Sequence, residues 1–142
     1  MEDKKPAHIL LVEDNPGDVR LIKEACHENR FCHQIYVVND GEEAMSFLRN
    51  REGFSDVPRP DLILLDLNLP KKSGHEVLAE IKGDPDLKSI PVVILTSSDA
   101  EQDMMKSGEY NVNGYIVKPS NLEHLVEMVR SIESIWLNTK KD

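Results

Sequence analysis

Asp61-Leu-Ile-Leu-Leu-Asp66-Leu-Asn-Leu-Pro-Lys-Lys-Ser-Gly74 is the stretch that decides the fold. Leu62 to Leu65 is a run of apolar residues with no polar alternation, which suits a strand buried on both faces. The run ends at Asp66, a loop leads away, and Ser73 to Lys82 reads as a helix that stops near Asp84-Pro85. A buried strand that ends in an acid and passes into a helix is the repeating unit of a parallel α/β sheet.

Working outward, the same alternation recurs on both sides. Upstream, His8-Ile-Leu-Leu-Val-Glu13 predicts a first strand. Pro16 to His27 predicts a first helix, with Val19, Leu21, Ile22 and Ala25 near helical spacing. Asp14 or Asn15 can cap it, and Pro16 can sit in its first turn. Gln34 to Val38 reads as a second strand, Asn39-Asp-Gly41 as a loop and Glu42 to Arg49 as a short helix. Residues Asn50 to Pro60 are polar, contain Gly53, Pro58 and Pro60, and read as a loop. Downstream, Val92 to Leu95 predicts a fourth strand followed by Thr96. Ala100 to Gly108 predicts a weakly patterned helix, Gly114 to Val117 a fifth strand, and Asn121 to Leu137 the longest helix. The expected fold is therefore a parallel sheet of five strands covered on both faces by five helices.

The chain has 142 residues, 39% hydrophobic and 30% charged, as expected of one globular domain. We read residues 1–142 as a single domain with its core at about 8–137 and no output module after Leu137. No apolar run reaches the roughly 18 residues that would span a membrane. The charged start, Met1 to Pro6, lacks an apolar signal core, so a cytoplasmic location is expected. Cys26 and Cys32 form neither a CxxC pair nor a zinc-ligand spacing and read as reduced thiols. The net charge of −9 argues against nucleic-acid binding, which needs clustered Lys and Arg, and fits protein or cation partners.

The ends of the strands carry the chemistry. Glu13-Asp14 follows the first strand, Asp66 ends the third, Thr96 the fourth, and Lys118-Pro119 follows the fifth. In a doubly wound sheet with the first and third strands adjacent, these groups converge on the crevice beyond the carboxyl edge. Three close carboxylates repel, and a like-charged pair about 4 Å apart costs on the order of 4 kcal/mol at an effective dielectric near 20. A hard divalent cation supplies the compensating charge. Magnesium fits best, because it accepts carboxylates and carbonyls while keeping waters that a phosphoryl oxygen can displace. Solvated helix caps are the alternative reading of the acids. Asp66 is the candidate nucleophile, since a carboxylate can form an acyl phosphate. Lys118 would meet one phosphoryl oxygen as a point charge and Thr96 would donate its hydroxyl to another.

This set, with Asp66 inside Asp61–Gly74 and Thr96 after Val92-Val-Ile-Leu95, resembles the receiver domains of two-component response regulators from about Ile9 to Leu137, which implies a doubly wound, flavodoxin-like sheet. The resemblance implies that Asp66 is the phosphoacceptor and that Asp14 ligates magnesium directly. Glu13 would act mainly through water, and the Asn68 carbonyl would complete the protein ligands. It implies Thr96 and Tyr115 as the switch pair, Lys118 on the phosphoryl group with a cis Lys118-Pro119 bond, and Gly74 as the residue permitting the turn into the third helix. Asn68 and Ser98 would tune loss of the phosphoryl group. The surface of the fourth helix, fifth strand and last helix would change and be read by a partner protein. The long loop at 50–60, Ser97 after Thr96 and the extended last helix, with Ile90-Pro-Val-Val-Ile-Leu-Thr-Ser-Ser98 and Asn113-Gly-Tyr-Ile-Val-Lys-Pro119, look like the small stand-alone regulators that partner phytochrome-type histidine kinases. A downstream phosphotransfer protein is a further implied partner.

Two other readings compete with this one. Phosphatases of the haloacid dehalogenase type also use an Asp nucleophile at a strand end, but carry a second Asp where this chain has Asn68. A receiver reduced to a protein-binding scaffold would not need the full set of site residues. Ile132, Ile135 and Trp136 on the last helix also suggest an apolar stripe that could pair two copies as a homodimer, with packing of that helix on its own sheet as the alternative.

Overall fold

Successive side chains of a strand point to opposite faces, so an unbroken apolar strand needs cover on both sides. A computed structural model describes residues 7–27, 32–51, 53–67, 69, 71–96, 114–117, 127 and 130–134 and shows that cover. Strands β1 (Ala7–Val12), β2 (Cys32–Val38), β3 (Leu62–Asp66), β4 (Val92–Thr96) and β5 (Gly114–Val117) form one sheet in the order β2-β1-β3-β4-β5. Every adjacent pair is parallel. Three helices are described from end to end: α1 (Pro16–His27), α2 (Gly41–Leu48) and α3 (Gly74–Gly83).

The parity of the strands divides the core in two. Ile9, Leu11, Leu62, Leu64, Val93 and Leu95 pack with Ile22 and Cys26 of α1 and with Ile132. Leu10, Val12, Ile63, Leu65 and Ile94 pack with Met45 and Phe47 of α2 and with Val77, Leu78 and Ile81 of α3. Each side chain buried in this way contributes about 1.5–3 kcal/mol. The two layers hold the sheet rigid from both faces.

Several expectations are corrected. The five-helix complement is not met among the described residues, because the expected fourth helix (100–108) lies outside them and the last is described only at 127 and 130–134. β2 begins at Cys32 rather than Gln34, and its ladder with β1 extends to that residue. Gly41 belongs to α2, with Asp40 as the cap. Of the two caps that the sequence offers for α1, Asn15 is the one used: its Oδ1 accepts the Asp18 amide at 3.1 Å. Ile132 is fully buried against the sheet, so it serves the chain's own core and is removed from the expected exposed stripe. Ile135 and Trp136 lie outside the described residues.

The loop at 50–60 is tied down by its own hydrogen bonds. Asn50 has φ 50° and donates through Nδ2 to the carbonyls of Phe54 and Val57, both at 3.1 Å. Phe54 packs against Phe47 at a tilt of 53°, with ring centres 5.5 Å apart. The loop thus seals the rim of the core that α2 covers.

Candidate functional site

β1 lies between β2 and β3, so the chain changes direction across the sheet at β1. That reversal opens a crevice beyond the carboxyl ends of β1 and β3. The register pairs Val12 with Leu65. One residue further along, Glu13 comes level with Asp66.

Carboxylate oxygens of Glu13, Asp14 and Asp66 all lie within 4.8 Å of one another. Glu13 is 0% exposed and Asp66 3%, while Asp14 opens to solvent. Two acids held that deep beside a third carry an electrostatic cost that a divalent cation offsets. The donor set fits one: carboxylate oxygens only, with an open side through Asp14, suit a hard cation that keeps part of its water shell. The capping reading of Asp14 gives way here, since Asn15 does that work for α1.

The acids are held by their backbones. The Glu13 amide donates to the Val38 carbonyl at 3.1 Å, and Glu13 Oε2 accepts the Asn15 amide at 3.1 Å. Behind Asp66 the chain turns sharply, and the Gly74 amide donates to the Leu67 carbonyl at 3.1 Å. A Cβ on Gly74 would collide with the Asp66 carbonyl oxygen and stand 2.5 Å from Leu67 Cα. Gly74 is therefore needed for close approach. It is not among the residues of positive φ, which corrects the expectation that it eases a turn. Ser73 and Glu76 then start α3 with reciprocal caps, at 3.2 Å and 2.9 Å.

The remaining expected residues are placed only in part. Thr96 is the last residue of β4, one beyond Leu95, which pairs with Asp66. Its backbone thus stands at the same sheet edge as the acids. Tyr115 lies in β5, paired with Ile94. Asn68, Ser98, Lys118 and Pro119 lie outside the described residues, and so does the expected cis bond.

Sequence reasoning missed the segment 38–41. The pattern reads as a strand end and a plain loop, yet Val38 anchors Glu13, and Gly41 abuts the loop after Asp66. A glycine in the first turn of a helix, where most residues would do, was the available signal. Beside Asp14 a groove of about 480 Å³ runs between α1 and β2, with Val19 and Val37 in its lining and Arg20 and Lys23 beside them.

The model of the response regulator receiver domain matches residues 9–130. Response regulator Rcp1 of Synechocystis sp. is 51% identical over 138 residues, covering 97% of this chain and 94% of that protein. The crystal structure of the phosphorylated cyanobacterial phytochrome response regulator RcpA superposes with a TM-score of 0.85 at 51% identity, covering 96% of this chain and 97% of the other. The Mn(2+)-bound form of response regulator Rcp1 superposes with a TM-score of 0.82 at 52% identity, covering 93% and 95%.

Proposed function

This chain belongs to the response regulator receiver domain family, and from that premise we propose that it is a phosphorylation-controlled switch that accepts a phosphoryl group on Asp66. The observation that carries the reading is the meeting of Glu13, Asp14 and Asp66, from two separate strands, within 4.8 Å. A receiver without an acceptor would have no reason to hold two buried acids beside a third.

In the proposed transfer an Asp66 oxygen forms a bond to phosphorus as the donor's phosphorus–nitrogen bond breaks, leaving imidazole on the kinase and an acyl phosphate here. Asp14, Glu13, Asp66 and the Asn68 carbonyl would hold magnesium, which when bound supplies the positive charge that the acids and phosphoryl oxygens share. Lys118 and Thr96 would meet the remaining phosphoryl oxygens. Thr96 and Tyr115 form the proposed switch pair, with Asn68 and Ser98 bordering the path of hydrolytic water. The output is a protein contact made by the surface that includes β5 and the last helix.

The donor we infer is a phytochrome-type histidine kinase, by analogy with the phytochrome regulator named above. The groove beside Asp14 is the docking edge, since a phosphohistidine reaching Asp66 must come over the carboxyl ends of the strands. Self-association through the last helix now rests on Ile135 and Trp136, and sedimentation of the Trp136→Ala variant against the parent tests it.

Phosphotransfer from a panel of purified, radiolabelled histidine kinases tests the function directly. Transfer from a phytochrome-type kinase faster than from the others supports the assignment. Label that stays on every kinase contradicts it.

A further inference from the structure

Residues 38–41, between β2 and α2, supply no acid to the site, yet they touch both of its halves. On one side the Val38 carbonyl accepts the Glu13 amide at 3.1 Å. On the other, Gly41 lies against the loop that follows Asp66: a Cβ there would collide with the Lys72 carbonyl oxygen and stand 2.7 Å from Lys72 Cβ. Between them sits Asp40, only 9% exposed. Its Oδ1 accepts the Glu43 amide at 2.8 Å and fixes the start of α2, while its Oδ2 lies 3.7 Å from Lys71 Nζ. Lys71 itself has φ 65°, a left-handed conformation that a lysine adopts only when its surroundings impose it.

We propose that the turn at 38–41 is a clamp on the acidic site, with Asp40 and Gly41 as positioning residues that set its affinity for a divalent cation. The physical case is that the loop after Asp66 is held at two points. Its far end is fixed by Gly74 against Asp66 and Leu67, and its tip is fixed by Gly41 and Asp40. Only with both points closed is the chain following Asp66 held in one place. Because the same turn also fixes Glu13, a shift of α2 moves the acids of β1 and the loop of β3 relative to each other. Outer groups that orient metal-binding residues typically alter affinity by about 10–100-fold when changed. The proposal rests on the reading of Glu13, Asp14 and Asp66 as a cation site.

The test is calorimetric titration of the metal-free protein with Mn2+, alongside its thermal midpoint. Gly41→Ala pushes the Lys72 carbonyl away and is expected to weaken Mn2+ binding about tenfold. Lys71→Gly removes the ammonium and lets the tip relax. Glycine tolerates the local conformation, so this variant folds even where Gly41→Ala does not, and it is expected to weaken binding in the same direction. Ile90→Val is the control: it trims a buried side chain just before β4, at the amino edge of the sheet, and leaves 38–41 and their partners in place. It is expected to lower the midpoint with Mn2+ affinity unchanged. Amide resonances of Asp66, Leu67 and Leu69 in the metal-free protein should shift in Lys71→Gly and hold still in Ile90→Val. Unchanged affinity in both clamp variants overturns the proposal, as does a loss in all three that merely follows the midpoint. A parent protein that binds no Mn2+ removes the cation site itself, and the clamp with it.

Discussion

Gly74 lies so close to Asp66 that any side-chain carbon on it would collide with the Asp66 carbonyl oxygen. The first residue of α3 therefore rests on the backbone of the candidate phosphoacceptor. Gly74→Ala must push that backbone by about 1 Å to restore an ordinary contact. A displacement of that size near reacting atoms costs roughly a hundredfold in rate. Labelling by acetyl phosphate should slow on that scale, while overpacking lowers the stability in urea by about 1–3 kcal/mol.

Leu64 and Leu65 are neighbours in β3, point to opposite faces and are both fully buried. If both faces are covered, Leu64→Ala and Leu65→Ala should each cost about 2–5 kcal/mol in urea unfolding. A sheet with one wet face would show the loss at only one of the two.

Asp14 and Asn15 adjoin in sequence but do different work. Asn15→Ala should cost about 1 kcal/mol through loss of the α1 cap, with Mn2+ affinity kept. Asp14→Ala should lose Mn2+ affinity and leave the metal-free protein at least as stable, because a repulsive charge has gone. Paired titrations and melts of the two variants separate the roles.

Lys23 lines the groove beside Asp14 and is not one of the residues proposed to hold the cation or the phosphoryl group. Lys23→Glu should slow transfer from the cognate kinase while leaving labelling by acetyl phosphate unchanged. An equal loss with both donors would place Lys23 in the chemistry instead of in docking.

The acids were legible in the sequence because they stand at the ends of apolar runs, and a parallel sheet brings such ends to one edge. Their contact then follows from the β1–β3 register. Less was legible where one residue type serves two purposes. Gly74 could be a turn or a close approach, and only the packed backbone distinguishes them. Asp14 and Asn15 are both competent caps one residue apart, and the start of α1 decides which is used. Ile132 fell on an apolar helical face, but periodicity gives a face without saying what covers it. The role of Gly41 depends on a loop some thirty residues later in the chain, beyond any local pattern.

The most direct measurement of the central claim is intact-protein and peptide mass spectrometry after incubation with acetyl phosphate and magnesium. One phosphoryl group per chain is expected, mapped to Asp66, absent when the metal is chelated and absent in Asp66→Asn. A stable adduct on another residue, or one that persists in Asp66→Asn, would contradict the account.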